Sequence, residues 1–147
     1  MNWKKEAENE LRNYRYIVDS ITNITDRIKM IDSRMTSLKG ASADSTPVNG
    51  GGNHHEENLL SCIVEKERLT ALLKVNKDRL DLIEKGLKTL TERERTTLQR
   101  FYMDDVGYQA AIDRLRYDLG YEEANINRIR STALYHFTVA MYGLTEF

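Results

Sequence analysis

Apolar side chains recur along the first part of the chain in alternating steps of three and four residues. This spacing is the heptad pattern of a helix that packs against a partner along one seam. With Glu10 as the one polar interruption, the pattern predicts a helix from about Asn2 to Leu38. Such a helix would be on the order of 50 Å long and needs a partner. The seam consists of Trp3, Ala7, Tyr14, Ile17, Ile21, Ile24, Ile28, Ile31, Met35 and Leu38.

A second seam follows a polar stretch and predicts a second long helix, again from steps of three and four residues. Lys66 and Asn76 are polar residues at positions of this seam. A polar side chain there can set register or partner number at a cost in stability, or it can turn outward at the flank of the helix. The pattern leaves both interpretations open. The seam is formed by Leu59, Cys62, Lys66, Leu69, Leu73, Asn76, Leu80, Ile83, Leu87 and Leu90.

The connector between the seams, residues 40–58, holds Gly40, Pro47 and three consecutive glycines at 50–52 among small polar residues. This composition predicts a flexible segment. Its length lets the helices fold back as an antiparallel hairpin within one chain, or exchange between two chains of a dimer. The oligomerisation residues expected on the seams are Ile17, Ile21, Ile24, Ile28, Ile31, Leu69, Leu73 and Leu80.

A separate module is predicted to begin where the second seam ends. Thr91, with Glu94 three residues later, is the capping-box pattern that starts a helix, here over about 92–102. The run Asp-Asp-Val-Gly at 104–107 indicates a turn. A second helix follows from Tyr108, and Leu119-Gly120 ends it with a residue able to take positive φ.

A third helix is predicted from Glu122 to about Tyr142. Three helices joined by short turns are the ingredients of a helix-turn-helix module, whose last helix enters the major groove of DNA. The predicted fold is therefore all-α: a long N-terminal helical hairpin, an antiparallel coiled coil over 1–90, followed by a three-helix helix-turn-helix module over 91–147. One face of the second helix carries Tyr108, Ala111, Ile112 and Leu115. The third helix is expected to bury Ile126, Ile129, Ala133, Phe137 and Ala140.

Composition agrees with a helical protein and narrows its class. The 147 residues have a formal net charge of -1, so no global positive field indicates nucleic acid, and any such site must be local. Cys62 is the sole cysteine, which excludes an intramolecular disulfide and a cysteine-based zinc finger. No apolar run approaches the length of a membrane span and no secretory signal opens the chain, so we expect a cytoplasmic protein without membrane contact.

The adjacent histidines His54 and His55 are candidates for a metal site, with Glu56, Glu57 and Cys62 nearby. Neighbouring histidines point in different directions, and no further pair has metal-finger spacing. The acidic residues instead suit the positive end of a helix. We therefore expect a solvated helix start there, and no metal or other cofactor.

Three motifs stand in the C-terminal third. A Leu-x-x-Arg-Glu-Arg start at 90–95 leads to Leu98 and Phe101-Tyr102, a Leu-Gly turn stands at 119–120, and Ile-Asn-Arg-Ile-Arg at 126–130 precedes Ala133-Leu134. In these motifs the chain resembles region 4 of sigma-70-type transcription factors and the phage regulators built on it. The resemblance covers about a third of the chain. It implies a helix-turn-helix that binds double-stranded DNA through its last helix.

The remainder of the chain extends this likeness through its coiled-coil half and a Thr-Pro-Val-x-Gly-Gly-Gly connector at 46–52. As a whole it resembles the ArpU and RinA type of phage transcriptional regulators. That resemblance implies activation of late or packaging genes in phages of Gram-positive bacteria, and thus a location in the cytoplasm of the bacterial host.

One position departs from the helix-turn-helix pattern. With Gly120 at the turn, Arg116 occupies the position where the motif needs a small residue so that its two helices can approach. The sequence therefore predicts either a clash at Arg116 or a longer turn from Arg116 to Tyr121, which would move the recognition helix.

The charge of the C-terminal module limits its affinity for DNA. From Thr91 onward, seven arginines stand against nine acidic residues, a net charge of -2. Because phosphate neutralisation supplies most non-specific affinity, we expect weak binding by a monomer, and a need for a homodimer or host RNA polymerase to hold it on DNA.

Candidate DNA contacts lie on the last helix and before it. Asparagine pairs bidentately with adenine and arginine with guanine, so Asn125, Asn127 and Arg128 are the base-reading candidates. The alternative is that they are ordinary solvated residues of an amphipathic helix. The remaining candidates are Glu123 in the first turn and, for phosphates, Arg114, Arg116 and Arg130.

No motif predicts catalysis. The chain lacks a glycine-rich phosphate loop after a strand, a nucleophile elbow, and a spaced carboxylate pair with a reason to be desolvated. His136 is expected to be a partly buried packing residue. Two non-enzymatic alternatives to the regulator stay open: an adaptor or inhibitor of a host protein that has lost DNA binding, and a DNA-packaging recognition subunit.

Overall fold

The computed structural model describes residues 1–44 and 52–144, and within these ranges the chain is helical with no strand. The predicted all-α class is confirmed. The first helix is much longer than the last four elements, as the seam predicts. The elements are α1 (Trp3–Asp44), α2 (Gly52–Lys88), α3 (Glu92–Leu98), a π-helical turn (Gln99–Met103), α4 (Tyr108–Leu119) and α5 (Glu123–Tyr142).

The two long helices reach further into the predicted connector than expected. Helix α1 continues to Asp44 and α2 begins at Gly52, so both ends of the predicted flexible segment 40–58 are helical. Alanines at 41 and 43 favour helix, and they offset the small polar residues between them. The centre of the predicted connector, residues 45–51 with Pro47, lies outside the described residues.

The described chain forms two compact units, one of Met1–Val18 with Asp78–Phe147 and the other of Asp19–Lys77. The first unit therefore contains the start of α1, the end of α2 and all the shorter helices. The predicted division into a domain over 1–90 and a domain over 91–147 stays a prediction.

In the Asp19–Lys77 unit, antiparallel stretches of α1 and α2 are joined by polar contacts at their flanks and along the seam. Asn76 is buried, and its Nδ2 donates to Ser20 Oγ at 3.2 Å. Lys66 is half-buried, and its Nζ pairs with Asp32 Oδ1 at 2.6 Å. The two polar seam residues therefore behave differently: Asn76 lies within the seam, whereas Lys66 reaches an acidic partner at the helix flank.

In the other unit, the start of α1 packs through Ala7 and Leu11, which have no exposed surface. The prediction that Glu10 interrupts the seam is wrong, because Leu11 continues the steps of three and four from Ala7. Glu10 instead pairs with Arg79, at 2.6 Å between Oε1 and Nη2. The Trp3 ring packs against the ring of Tyr142 of α5, with centroids 4.8 Å apart and planes inclined by 39°, so α1 also contacts the C-terminal helices.

The shorter helices share one core with these segments of α1 and α2. Ile126 and Phe137 are fully buried as predicted, but Ile129 is half-buried and Ala140 is exposed. The expectation that those two residues are buried is corrected, because the inner face of α5 turns toward Leu134 and Met141. The buried apolar residues here are Leu98, Phe101, Tyr102, Ala111, Ile112, Leu115, Ile126, Ala133, Leu134, Phe137 and Met141.

No helix within the described ranges is both long enough and apolar enough to span a membrane.

Candidate functional site

The start of α3 is held by the predicted capping box. The backbone N–H of Glu94 donates to Thr91 Oγ1 at 3.2 Å, and Glu94 Oε1 accepts from the backbone N–H of Thr91 at 3.2 Å. Arg95 then donates from its guanidinium to the carbonyls of Leu87 and Leu90 at 3.2 and 3.1 Å. Leu87 lies in the last turn of α2 and Leu90 just after the helix, so Arg95 of the Arg-Glu-Arg motif ties α3 to that end.

The π-helical turn after α3 places two aromatic residues in the core and one arginine at its edge. Phe101 and Tyr102 are buried. Arg100 pairs with Asp104 at 2.8 Å and approaches Asp118 of α4 at 3.5 Å. The turn thereby links α3 to the end of α4.

Helices α4 and α5 are joined by a short turn. Gly120 has φ 69°, and its N–H donates to the carbonyl of Arg116 at 2.9 Å, which closes α4. Glycine takes this left-handed conformation without the penalty that a Cβ carries. The N-cap of α5 is Glu122, so the turn from Leu119 to α5 is three residues long.

The structure overturns both expectations for Arg116. The residue lies inside α4, which continues without a break to Leu119, so no longer turn forms. Its side chain is exposed and reaches Glu122 at 3.9 Å, so no clash occurs. The buried residues of α4 are Ala111, Ile112 and Leu115, and Arg116 is not among them.

Two of the candidate DNA-contacting residues are joined by a tyrosine. Asn127 Nδ2 donates to the Tyr108 hydroxyl at 2.9 Å, and that hydroxyl donates to Glu123 Oε1 at 2.8 Å. The Asn127 Oδ1 atom is buried and has no hydrogen-bond partner among the described residues. A buried amide oxygen without a partner carries a cost in free energy. Asn125, the other candidate amide, is half-buried in the first turn of α5.

The four candidate arginines differ in how their charge is used. Arg128 is exposed and makes no ion pair with any described residue. Arg114 is exposed and approaches Asp118 at 3.4 Å. Arg130 is half-buried, with its guanidinium 4.7 Å from the centroid of Phe101 and 5.6 Å from that of Tyr108. Arg130 therefore has a cation–π packing role here, and contact with a phosphate would require it to leave these rings.

Arg128 lines a groove between α3 and α5 with a volume of about 1000 Å³. Arg93 also lines the groove, and its guanidinium lies 5.1 Å from the centroid of the Tyr121 ring. Two other basic side chains of the groove have carboxylate partners: Arg100 pairs with Asp104, and His136 pairs with Glu94. Arg128 and Arg93 have no carboxylate partner among the described residues. The other lining residues are Thr91, Glu92, Glu94, Thr96, Arg100, Asp118, Leu119, Ile129, Thr132 and His136.

His136 pairs with Glu94 inside this groove, with 2.6 Å between Nδ1 and Oε2. The expectation of a partly buried packing histidine is corrected, because the His136 side chain is half exposed and serves as a polar partner. Burial raises the pKa of Glu94, but hydrogen bonds from His136 and Thr91 outweigh it and hold that pKa below its usual value. Nothing in the sequence signalled this pair, because the two residues are 42 positions apart.

Tyr102 lies under the start of α1, and its hydroxyl is 3.4 Å from Glu8 Oε1. Burial, with the nearby Glu8 carboxylate, raises the pKa of this phenol to about 12. Arg12 covers the ring, 5.2 Å from its centroid. Tyr102 is thus a neutral anchor between α1 and the C-terminal helices.

The predicted oligomerisation residues are largely occupied within the single chain. Ile17, Ile24 and Leu69 are buried, and Ile21, Ile28, Ile31, Leu73 and Leu80 are half-buried. An oligomer built on these seams would therefore require α1 and α2 to exchange between chains.

Among the described residues, no three histidine, cysteine or acidic side chains come close enough together to hold a metal ion. Comparison of the chain with protein-family models, with curated proteins and with solved structures finds no match.

Proposed function

We propose that this chain is a phage-type, non-enzymatic transcription regulator of the bacterial cytoplasm, resembling the ArpU and RinA regulators. In this proposal α4, the Gly120 turn and α5 act as a helix-turn-helix on double-stranded DNA. Host RNA polymerase is the second partner, and the functional form is a homodimer.

Support comes from how the short helices are joined. A three-residue turn with glycine in the left-handed conformation connects α4 to α5. Ile126 is fully buried in α5, while its neighbours Glu123 and Arg128 are exposed. One face of α5 therefore packs and its first turns present polar side chains, as a helix that reads a groove requires.

The observation that carries the proposal is the exposed guanidinium of Arg128. It is the candidate arginine that is exposed and makes no ion pair with described residues, so its charge and its five donors are available to a guanine or a phosphate. Asn127 lies beside it in α5, and its amide donates to the Tyr108 hydroxyl at 2.9 Å.

The test is retention of fragmented phage genomic DNA by the purified protein at moderate salt, followed by sequencing of the bound fragments. We expect one enriched site near late genes. If the protein alone does not retain this site, the protein together with host RNA polymerase should. Arg128→Ala should weaken binding to that site by ~10-fold or more, the effect of losing a bidentate base contact. Arg34→Ala is the matched control, since Arg34 is an exposed arginine of α1, and it should bind as the parent does.

A second candidate function is a protein-interaction adaptor or host-protein inhibitor. It is favoured by the net charge of -2 in the C-terminal third and by the ties of Glu123 and Asn127 to Tyr108. No enriched fragment with or without polymerase would support this candidate. An Arg128→Ala variant that retains full affinity for an enriched site would instead overturn the assignment of Arg128 to a base contact. A ring-sized assembly would instead indicate the packaging subunit.

A further inference from the structure

Helix α2 carries a second apolar stripe in the Asp19–Lys77 unit, on the side opposite its buried seam. Leu60, Val64 and Val75 are 61%, 57% and 55% exposed, and Ala71 is also exposed. At about 100° per residue, these positions share one face of the helix, about half a turn away from the buried Cys62, Leu69 and Asn76. We call Leu60, Val64, Glu67, Ala71 and Val75 the outer stripe.

The outer stripe has the spacing of a second packing seam. Its residues follow one another in steps of four, three, four and four, which is close to a heptad repeat. Exposed apolar residues scattered singly need no explanation, but an aligned row on one long helix indicates a surface that meets a partner. Glu67 is the one charged member of the row, and it makes no ion pair with any described residue.

We propose that the outer stripe binds the outer stripe of a second copy of this chain, with the two α2 helices antiparallel about a two-fold axis between residues 67 and 68. In this register Leu60 lies level with Val75 of the second copy, and Val64 lies level with its Ala71. The small Ala71 opposite the branched Val64 lets the helices approach closely. Each contact occurs twice, as in an isologous interface.

The charges at the centre favour this occupant and this orientation. The antiparallel register places Glu67 of each copy level with Arg68 of the other, so the charged residue within each stripe gains a partner. A parallel pairing would instead bring Glu67 against Glu67, and like charges oppose association. Arg68 is exposed and pairs with Glu65 of its own chain at 2.8 Å. An exposed ion pair holds a side chain only weakly, so Arg68 can turn to Glu67 of the second copy.

This interface differs from the predicted seams, whose side chains are occupied within the chain. Through this interface the proposed regulator dimerises without an exchange of helices between chains. The inference therefore deepens one part of the proposed function, the homodimer. Self-association without DNA depends only on the outer stripe. A stable dimer that retains no phage DNA would overturn the regulator and leave this interface intact.

The first experiment is the molar mass of the full chain by light scattering across a concentration series. The expected mass is twice the 17.1 kDa of one chain. Val64→Asp with Val75→Asp should raise the dimer dissociation constant by ~100-fold or more, because each change buries unpaired charge in the interface. Met30→Asp is the control: Met30 is a 70% exposed apolar residue of α1 in the same unit, and its substitution should leave the mass unchanged.

The second experiment exchanges charges without touching the apolar residues, so it does not depend on how the aspartate variants fold. Glu67→Arg and Arg68→Glu, each alone, should form weaker dimers, because each places like charges at the centre. An equimolar mixture should form a heterodimer that is tighter than either homodimer, since opposite charges then face each other. A monomeric parent, an oligomer larger than a dimer, an unchanged mass for the aspartate variant, or no gain on mixing would each overturn the proposal.

Discussion

Gly86 of α2 lies against the ring of Phe137 of α5, so closely that a Cβ added at Gly86 would stand 2.9 Å from Phe137 Cε2 and 3.4 Å from Met141 Sδ. Phe137 has no exposed surface. Gly86 lies in the last turn of α2, where a glycine is still less favourable than alanine, and its presence there is explained by the close approach of α2 and α5. This crossing lies within the Met1–Val18 and Asp78–Phe147 unit.

Replacing this glycine therefore has an effect opposite in sign to that expected from helix propensity. Gly86→Ala should lower the free energy of unfolding by about 1 kcal/mol or more, because the displaced Phe137 ring outweighs the gain in propensity. Gly86→Leu should be more severe. In α1, a Cβ at Gly40 would meet no atom within 4 Å, so Gly40→Ala should be neutral or stabilising in the same denaturant titration. Equal changes in the free energy of unfolding for Gly86→Ala and Gly40→Ala would contradict the close approach of α2 and α5 at Gly86.

Glu94 makes the stability of the C-terminal helices sensitive to acid. Its pKa in the folded protein lies below the usual value, so its contribution is present above the unfolded pKa, near 4.5, and is lost as the pH falls through the folded pKa. Glu94→Gln should therefore cost on the order of 1 kcal/mol at neutral pH and flatten the acid limb of the stability curve. The exposed Glu92 of the same first turn is the matched control, and Glu92→Gln should retain the parent acid limb.

Tyr102 should produce a loss of stability at alkaline pH. The folded pKa of about 12 exceeds the usual tyrosine pKa of 10.0, so the stabilisation is complete below pH 10 and is lost as the pH rises toward 12. The loss attributable to this residue should be on the order of 2 kcal/mol. Urea titrations between these pH values should show a shallower decline for Tyr102→Phe. Tyr117→Phe, at an 84% exposed tyrosine, should decline as the parent does.

Asn76 is a buried polar residue of the seam, and we expect it to lower the stability of the fold although it is hydrogen-bonded to Ser20. Replacing a buried seam asparagine with an apolar residue removes a desolvated amide, so Asn76→Leu should raise the thermal midpoint by a few degrees. Asn76→Asp should lower it, because a carboxylate would be buried in the seam. Lys66→Leu tests the same seam at its flank and should change the midpoint little. A lower midpoint for Asn76→Leu would mean that the bond to Ser20 outweighs the cost of burial.

Local signals in the sequence located most of the helical elements. Heptad spacing predicted both long helices, and the pair Thr91 and Glu94 predicted the start of α3 to the residue. Leu119-Gly120 predicted the end of α4. These features depend on residues within one or two turns of each other, where side-chain spacing and capping bonds act independently of the rest of the chain.

The wrong predictions concern residues whose burial depends on how their helix packs against a neighbouring helix. Periodicity placed Glu10 on the seam, yet Leu11 is buried there and Glu10 pairs with Arg79. Arg116 was expected to clash or to begin a longer turn, and it is instead an exposed residue of α4. In both cases the rotation of the helix against its neighbours decides which side chain faces inward, and a heptad count does not fix that rotation.

The sequence by itself determined that the chain is helical, where most helices begin and end, and which residue types are offered to a partner. Only the tertiary structure decided which of those residues are available. It joined Asn127 and Glu123 through Tyr108, stacked Arg130 on Phe101 and left Arg128 without a carboxylate partner among the described residues. The physical reason is separation along the chain: these contacts join different helices, and no local spacing encodes which side chains of two helices meet.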